Sequence, residues 1–105
     1  MNKLVIDTLT PLGVPVTFQE YDGSATTYIT FFFFNEQSDL NADDEELKTG
    51  YSLQVDVWSK SDYMNLVDQV KQAMKNAGFT RTFAADLYEK DNGIYHKVIR
   101  FRYSK

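Results

Sequence analysis

The chain has 105 residues, 43% of them hydrophobic and 15% aromatic, which suits one compact domain spanning 1–105 with a core of its own and is too aromatic for a disordered segment. Fifteen acidic residues against eleven basic ones give a formal net charge of −4, the wrong sign for a nucleic-acid binder. Cysteine is absent, so disulfides, zinc-thiolate sites and thiol catalysis are excluded.

Residues 2–10 read as a short helix with Leu4, Val5 and Leu9 on one side, ended by Pro11, Gly13 and Pro15. Residues 16–21 look extended, and Asp22-Gly23 is a turn signal. Residues 26–36 then form a strand containing four consecutive phenylalanines, Phe31 to Phe34. Because strand side chains alternate between faces, this strand sends large rings both ways. Residues 37–47 hold Asp39, Asp43, Asp44, Glu45 and Glu46 with few apolar residues and read as a long exposed acidic loop.

Residues 48–58 alternate cleanly, Tyr51, Leu53, Val55 and Val57 against Ser52, Gln54, Asp56 and Trp58, as a half-buried strand does. The period changes over 61–77, where Tyr63, Leu66, Val67, Val70, Ala73, Met74 and Ala77 fall at helical spacing and Gly78 supplies a stop. Residues 79–90 and 94–103 are two further strands joined at Asp91-Asn92-Gly93, a tight-turn signal. The layout α-β-β-β-α-β-β predicts an α+β fold: a two-layer sandwich with a five-stranded, mainly antiparallel sheet and both helices on one face. Hairpins between strands one and two, two and three, and four and five, with a helical crossover between three and four, give the order 1-2-3-5-4 with every pair antiparallel.

Ile29, Phe31, Phe33, Leu53, Val55, Val57, Phe83, Leu87, Ile99 and Phe101 are expected beneath the helices. The opposite face then collects Thr30, Phe32, Phe34, Gln54, Asp56, Trp58, Thr82, Asp86, Tyr88, Val98, Arg100 and Arg102. Phe32, Phe34 and Trp58 are too large and apolar for a plain solvated surface, and the charges are out of place in a second core. Aromatics beside arginine are typical of protein–protein contacts. The plainer alternative is that the 37–47 loop folds over these rings. A fully buried Phe is favoured by roughly 1.5–3 kcal/mol over an exposed one, so some cover is expected in either case.

Catalytic and metal-binding chemistry finds little support. His96 is the only histidine and has no nucleophile or orienting group near it in sequence. Asp39-Leu40-Asn41-Ala42-Asp43 begins like a calcium loop, but Asp44 stands where glycine is needed and Gly50 where the bidentate glutamate is needed. Asp56 and Asp86 are better placed for cross-strand salt bridges with Arg100 and Arg102 than as a catalytic pair. The C-terminal strand carries Lys97, Arg100, Arg102 and Lys105, too few cations for a nucleic-acid surface. No cofactor, metal or catalytic residue is assigned. No run approaches the ~20 apolar residues of a membrane helix. The stretch Met1-Asn2-Lys3-Leu4-Val5-Ile6-Asp7 lacks the apolar length of a signal peptide, so a soluble protein folded in the cytosol is expected.

The segments Gly13-Val14-Pro15-Val16-Thr17-Phe18, Tyr28-Ile29-Thr30-Phe31-Phe32, Leu53-Gln54-Val55-Asp56-Val57-Trp58-Ser59, Ala77-Gly78-Phe79, Asp86-Leu87-Tyr88-Glu89 and Tyr95-His96-Lys97-Val98-Ile99-Arg100-Phe101, in this order and with the acidic loop between the second and third, carry a resemblance. Together they resemble the small tail-completion, or tail-terminator-like, proteins of tailed phages and prophages. The resemblance implies a non-enzymatic virion part. Such a part assembles as a ring, typically hexameric, at the head-proximal end of the tail in the host cytoplasm. It meets the tail tube protein on one side and a neck or head-completion protein on the other. Phe32, Phe34, Trp58, Tyr88, Arg100 and Arg102, with Asp39, Asp43, Asp44, Glu45 and Glu46 of the loop, are the expected partner interface. Another head–tail adaptor, or a small-ligand module using the aromatic face as a cup, are the competing readings.

Overall fold

The computed structural model describes residues 2–38, 49–89 and 93–104. Helix α1 (Asn2–Leu9) runs into a 3-10 turn (Thr10–Leu12); β1 (Val16–Phe18), β2 (Thr27–Ser38), β3 (Thr49–Ser59), α2 (Met64–Asn76), β4 (Thr80–Glu89) and β5 (Ile94–Ser104) follow. The acidic segment 39–48 lies outside the described residues, and with it Asp39, Asp43, Asp44, Glu45 and Glu46. Gln37 and Ser38, expected in that loop, instead belong to β2, paired with Gly50 and Thr49.

Local bonds support both helices. Lys3 Nζ meets Asp7 Oδ2 at 2.8 Å one turn along α1, and Gly13, at φ 86°, ends the 3-10 turn in a conformation that glycine adopts without strain. At the start of α2 the Asp62 carboxylate accepts the Met64 N–H at 3.0 Å. At its end Gly78 N–H donates to Lys75 O and Phe79 N–H to Met74 O, both at 3.0 Å, the paired bonds of a Schellman stop. Gly78 carries φ 101° there.

The sheet order is β1-β2-β3-β5-β4, as expected. The expectation that every pair is antiparallel fails at β1, which runs parallel to β2 with Val16 beside Ile29 and Phe18 beside Phe31. Gln19 takes a positive φ of 69°. Its N–H donates to Phe31 O at 2.8 Å while the Glu20 N–H donates to Phe18 O at 2.9 Å. The chain therefore leaves the end of β1 and returns to the start of β2 through 19–26. Asp22-Gly23 lies in that return, not in a hairpin turn.

The core lies between the sheet and the two helices. Val5 and Leu9 of α1 and Val67, Val70 and Met74 of α2 pack on Ile29, Phe31, Leu53, Val55, Val57, Ile99 and Phe101. This is the two-layer α+β sandwich. The alternation expected for β4 is broken by a bulge: Arg81 pairs with Phe101, Phe83 pairs with Arg100, and Thr82 is left over. An extra residue reverses every later side chain. Phe83 and Leu87, expected in the core, thus stand on the opposite face at 48% and 50% exposure. Asp86 and Tyr88, expected on that opposite face, turn to the helix side, where Tyr88 lies 4.7 Å from Tyr95, ring to ring.

Candidate assembly surface

The face away from the helices is organised in rows across the strands. Tyr28, Trp58, His96 and Leu87 are register mates on β2, β3, β5 and β4. Tyr21, from the return segment, stacks on Tyr28 at 4.3 Å. Tyr28 faces Trp58 at 6.0 Å, and Trp58 lies on His96 at 3.7 Å with the planes 13° apart. Four rings thus lie nearly parallel across the sheet. Further along the strands come Phe32, Gln54, Arg100 and Phe83, again register mates. The Arg100 guanidinium sits 5.1 Å from the Phe34 ring and 5.4 Å from the Phe83 ring, so the rings are bridged by a cation.

The polar side chains at the centre of this face bond to one another. Arg100 Nε donates to Gln54 Oε1 at 3.0 Å, Gln54 Nε2 donates to Asp56 Oδ1 at 2.8 Å, and His96 Nε2 lies 2.9 Å from the same oxygen. Trp58 Nε1 donates to Thr30 Oγ1 at 3.0 Å. Asp56 and Thr30 are therefore buried without a layer above them, because flat rings and long side chains lie over them. Arg102 Nη1 donates to Ser52 Oγ at 3.2 Å.

The structure brings Phe32, Phe34, Trp58, Arg100 and Arg102 onto one face, with Phe32, Phe34 and Trp58 half-buried. Tyr88 is not among them. The expected salt bridges from Asp56 and Asp86 to Arg100 and Arg102 do not form: Asp56 pairs with His96, and Asp86 lies on the other side of the sheet with Lys97 at 3.1 Å. There the Lys97 ammonium first, and the Tyr63 hydroxyl second, hold the Asp86 carboxyl below its ordinary value. Burial and the bond to Asp86 push Tyr63 up to about 12. Sequence reasoning missed Phe83 and Leu87, hidden by the bulge, and Tyr21 and Tyr28, whose stack depends on the parallel return. Among the described residues, no three of His, Cys, Asp and Glu gather closely enough to hold a metal ion, and no helix is long and apolar enough to cross a membrane.

Two strand edges flank this face. β4 ends the sheet order, and β1 pairs only with Ile29 to Phe31 of β2. Among the described residues, β4 and the 32–38 part of β2 therefore have no strand beside them on their outer sides. Open edges and a half-covered aromatic face define a class: small α+β domains that leave a sheet surface available for contact. The family of tail completion protein gp17 matches residues 16–104, and the chain belongs to that family. Its role is structural, in tail completion. A chain of the "Virion of native gene transfer agent (GTA) particle" shares the fold, with a TM-score of 0.65 at 15% identity over 95% of this chain and 90% of that one. No curated protein sequence matches.

Proposed function

We propose that the protein caps the tail tube at its head-proximal end as a closed ring of copies, hexameric as the family resemblance implies. The tube protein lies on one side of the ring and a neck protein on the other. The observation that carries this reading is the aromatic face between two open edges. Phe83 and Leu87 are half-exposed beside one edge, and Phe32 and Phe34 lie beside the other. The strands β2, β3, β5 and β4 alternate in direction, so β2 and β4 of one copy run oppositely. A junction that continues the sheet from copy to copy sets β2 of the next copy antiparallel to β4. Such a heterologous contact repeats until the rotation closes. A ligand-binding cup is less well supported, because the rings on this face lie flat and half-open, and the cleft of about 270 Å³ beside Tyr21 and Tyr28 is open to solvent.

The test is a small epitope tag on the protein in a producing strain, located by immunogold electron microscopy, together with a deletion strain. Label at the head–tail junction, and deletion tails that join heads only when purified protein is added, are the expected results. Absence of the protein from purified particles, or label at the distal tail end, would overturn the reading. Normal joining without the protein would do the same.

A further inference from the structure

We propose that the acidic segment 39–48 of one copy docks in a cationic groove between α2 and β4 of the next copy. The inference rests on the ring reading above and names the surface that locks its junctions. The groove, about 520 Å³, has Phe79 and Phe101 in its floor and Lys71, Lys75 and Arg81 on its walls, with Asp68 as the one carboxylate. Lys75 and Arg81 have no salt-bridge partner among the described residues, and Lys71 makes none either, though it is near enough to Asp86 to help lower that carboxyl. The segment supplies the opposite charge: Asp39, Asp43, Asp44, Glu45 and Glu46 against the single cation of Lys48, with Leu40 and Leu47 as its leucines. Opposed patches of this kind fix register and exclude wrong partners.

Placement favours the neighbour's groove over the chain's own. The segment leaves β2 after Ser38 and enters β3 at Thr49, and these two residues are paired. Within one copy, β5 stands between that root and β4. Its Ser104 and Tyr103 pair with Gly50 and Tyr51. The Tyr103 ring packs on Phe79 at 4.6 Å and approaches the position a Gly78 Cβ would take to 3.2 Å. Across a junction of the 32–38 part of β2 with β4 no strand intervenes among the described residues. The start of β4 is already level with the far half of β2: Thr80 pairs with Arg102, Arg102 with Ser52, and Ser52 with Phe34. A neighbour's β2, held at the same height by the ring, brings its end after Ser38 to the end of the sheet where Thr80, Arg81 and Lys75 lie.

Reversed charges test both the contact and its direction. One variant carries Lys71→Glu, Lys75→Glu and Arg81→Glu; the other carries Asp43→Lys, Asp44→Lys, Glu45→Lys and Glu46→Lys. All seven changes should leave thermal unfolding within a few degrees of the wild type. Each variant alone should enter particles at least tenfold less well, and co-expression of the two should restore entry, because each acidic segment then meets a basic groove on the other variant. Zero-length carboxylate–amine crosslinking of particles made from mixed light and heavy-isotope copies should join residues 43–46 to Lys71 or Lys75 between copies of different mass. Normal entry by either variant would overturn the proposal. So would crosslinks confined to single copies, an absence of these crosslinks, or rescue only when both sets of changes are on one chain. Failure of the ring reading is a separate result, because the wild-type protein would then be absent from particles, sit at the distal tail end or prove dispensable for joining.

Discussion

Trp58 lies flat on His96, 3.7 Å between ring centroids, and the same imidazole holds the buried Asp56 at 2.9 Å. The only tryptophan and the only histidine of the chain thus join the aromatic row to the polar network beneath it. His96→Ala removes one of the two side chains bonded to Asp56 Oδ1, the other being Gln54. Stripping a partner from a buried group costs about 1–3 kcal/mol, read as a lower denaturant midpoint with an unchanged slope. His96→Phe keeps a ring for Trp58 to stack on but loses the bond. It should cost less than the alanine, and its Trp58 emission should stay closer to that of the wild type. Equal losses in the two variants would mean that the stack adds nothing.

Phe83 and Leu87 separate assembly from folding. Each is about half exposed, so Phe83→Ser and Leu87→Ser should move stability by only about 0.5 kcal/mol. Entry into particles should fall by tenfold or more, since covering the exposed half of such a side chain contributes about 1 kcal/mol at each junction and the junction repeats around the ring. Phe31→Ala is the contrasting control: the ring is fully buried, and its removal should cost about 3–5 kcal/mol. Circular dichroism melts paired with particle incorporation would show whether the serine variants lose assembly without losing fold. A melt lowered as far as that of Phe31→Ala would remove the distinction.

Most of the architecture was legible because periodicity reports which face a residue occupies. Tyr51, Leu53, Val55 and Val57 alternate without interruption, and β3 follows them residue for residue. The helical spacing from Leu66 to Ala77 similarly sets the buried side of α2. β4 was not legible on the same terms. Its run Thr-Arg-Thr-Phe-Ala-Ala-Asp-Leu-Tyr has two adjacent alanines that suit either face, so nothing local announces the bulge at Thr82. The parallel β1 was hidden for another reason: Asp22-Gly23 is a genuine turn signal, but which way a three-residue β1 joins its neighbour depends on the backbone at Gln19 and its bond to Phe31. On the candidate surface, Phe32, Phe34, Trp58, Arg100 and Arg102 were readable by alternation, whereas Tyr88 was displaced by the bulge.

Thr17 offers a test of polar accounting. Its Oγ1 is a buried side-chain oxygen without a hydrogen-bond partner among the described residues. It stands beside Thr30, whose hydroxyl is already engaged by Trp58. Replacing an unsatisfied hydroxyl by a methyl of similar shape is neutral to stabilising, so Thr17→Val should raise stability by about 1 kcal/mol in equilibrium unfolding. Destabilisation by a similar amount would show that the hydroxyl has a partner in solution.

The link between Tyr63 and Asp86 sets an alkaline limit. Tyr63 Oη donates to Asp86 Oδ1 at 2.9 Å. Burial first, and that bond second, raise Tyr63 from 10.0 to about 12. The folded chain therefore keeps a phenolic proton that the unfolded chain releases near pH 10. The stability contributed is fully present below pH 10 and is lost as pH rises through about 12. Tyr63→Phe should flatten the decline over that window, and the difference between its pH profile and that of the wild type isolates this group from the lysines titrating nearby. Asp86 works in the other direction: its carboxyl is held below its ordinary value by Lys97 and then Tyr63. Its contribution is present above the ordinary carboxylate range and fades as pH falls through the lowered value. Asp86→Asn should abolish that acid-side loss. It should also shrink the alkaline effect of Tyr63→Phe, because the acceptor that holds the phenolic proton is then neutral. Profiles of unfolding midpoint against pH for the single variants and the double variant test the coupling; strictly additive profiles at both ends would mean that the two groups act independently.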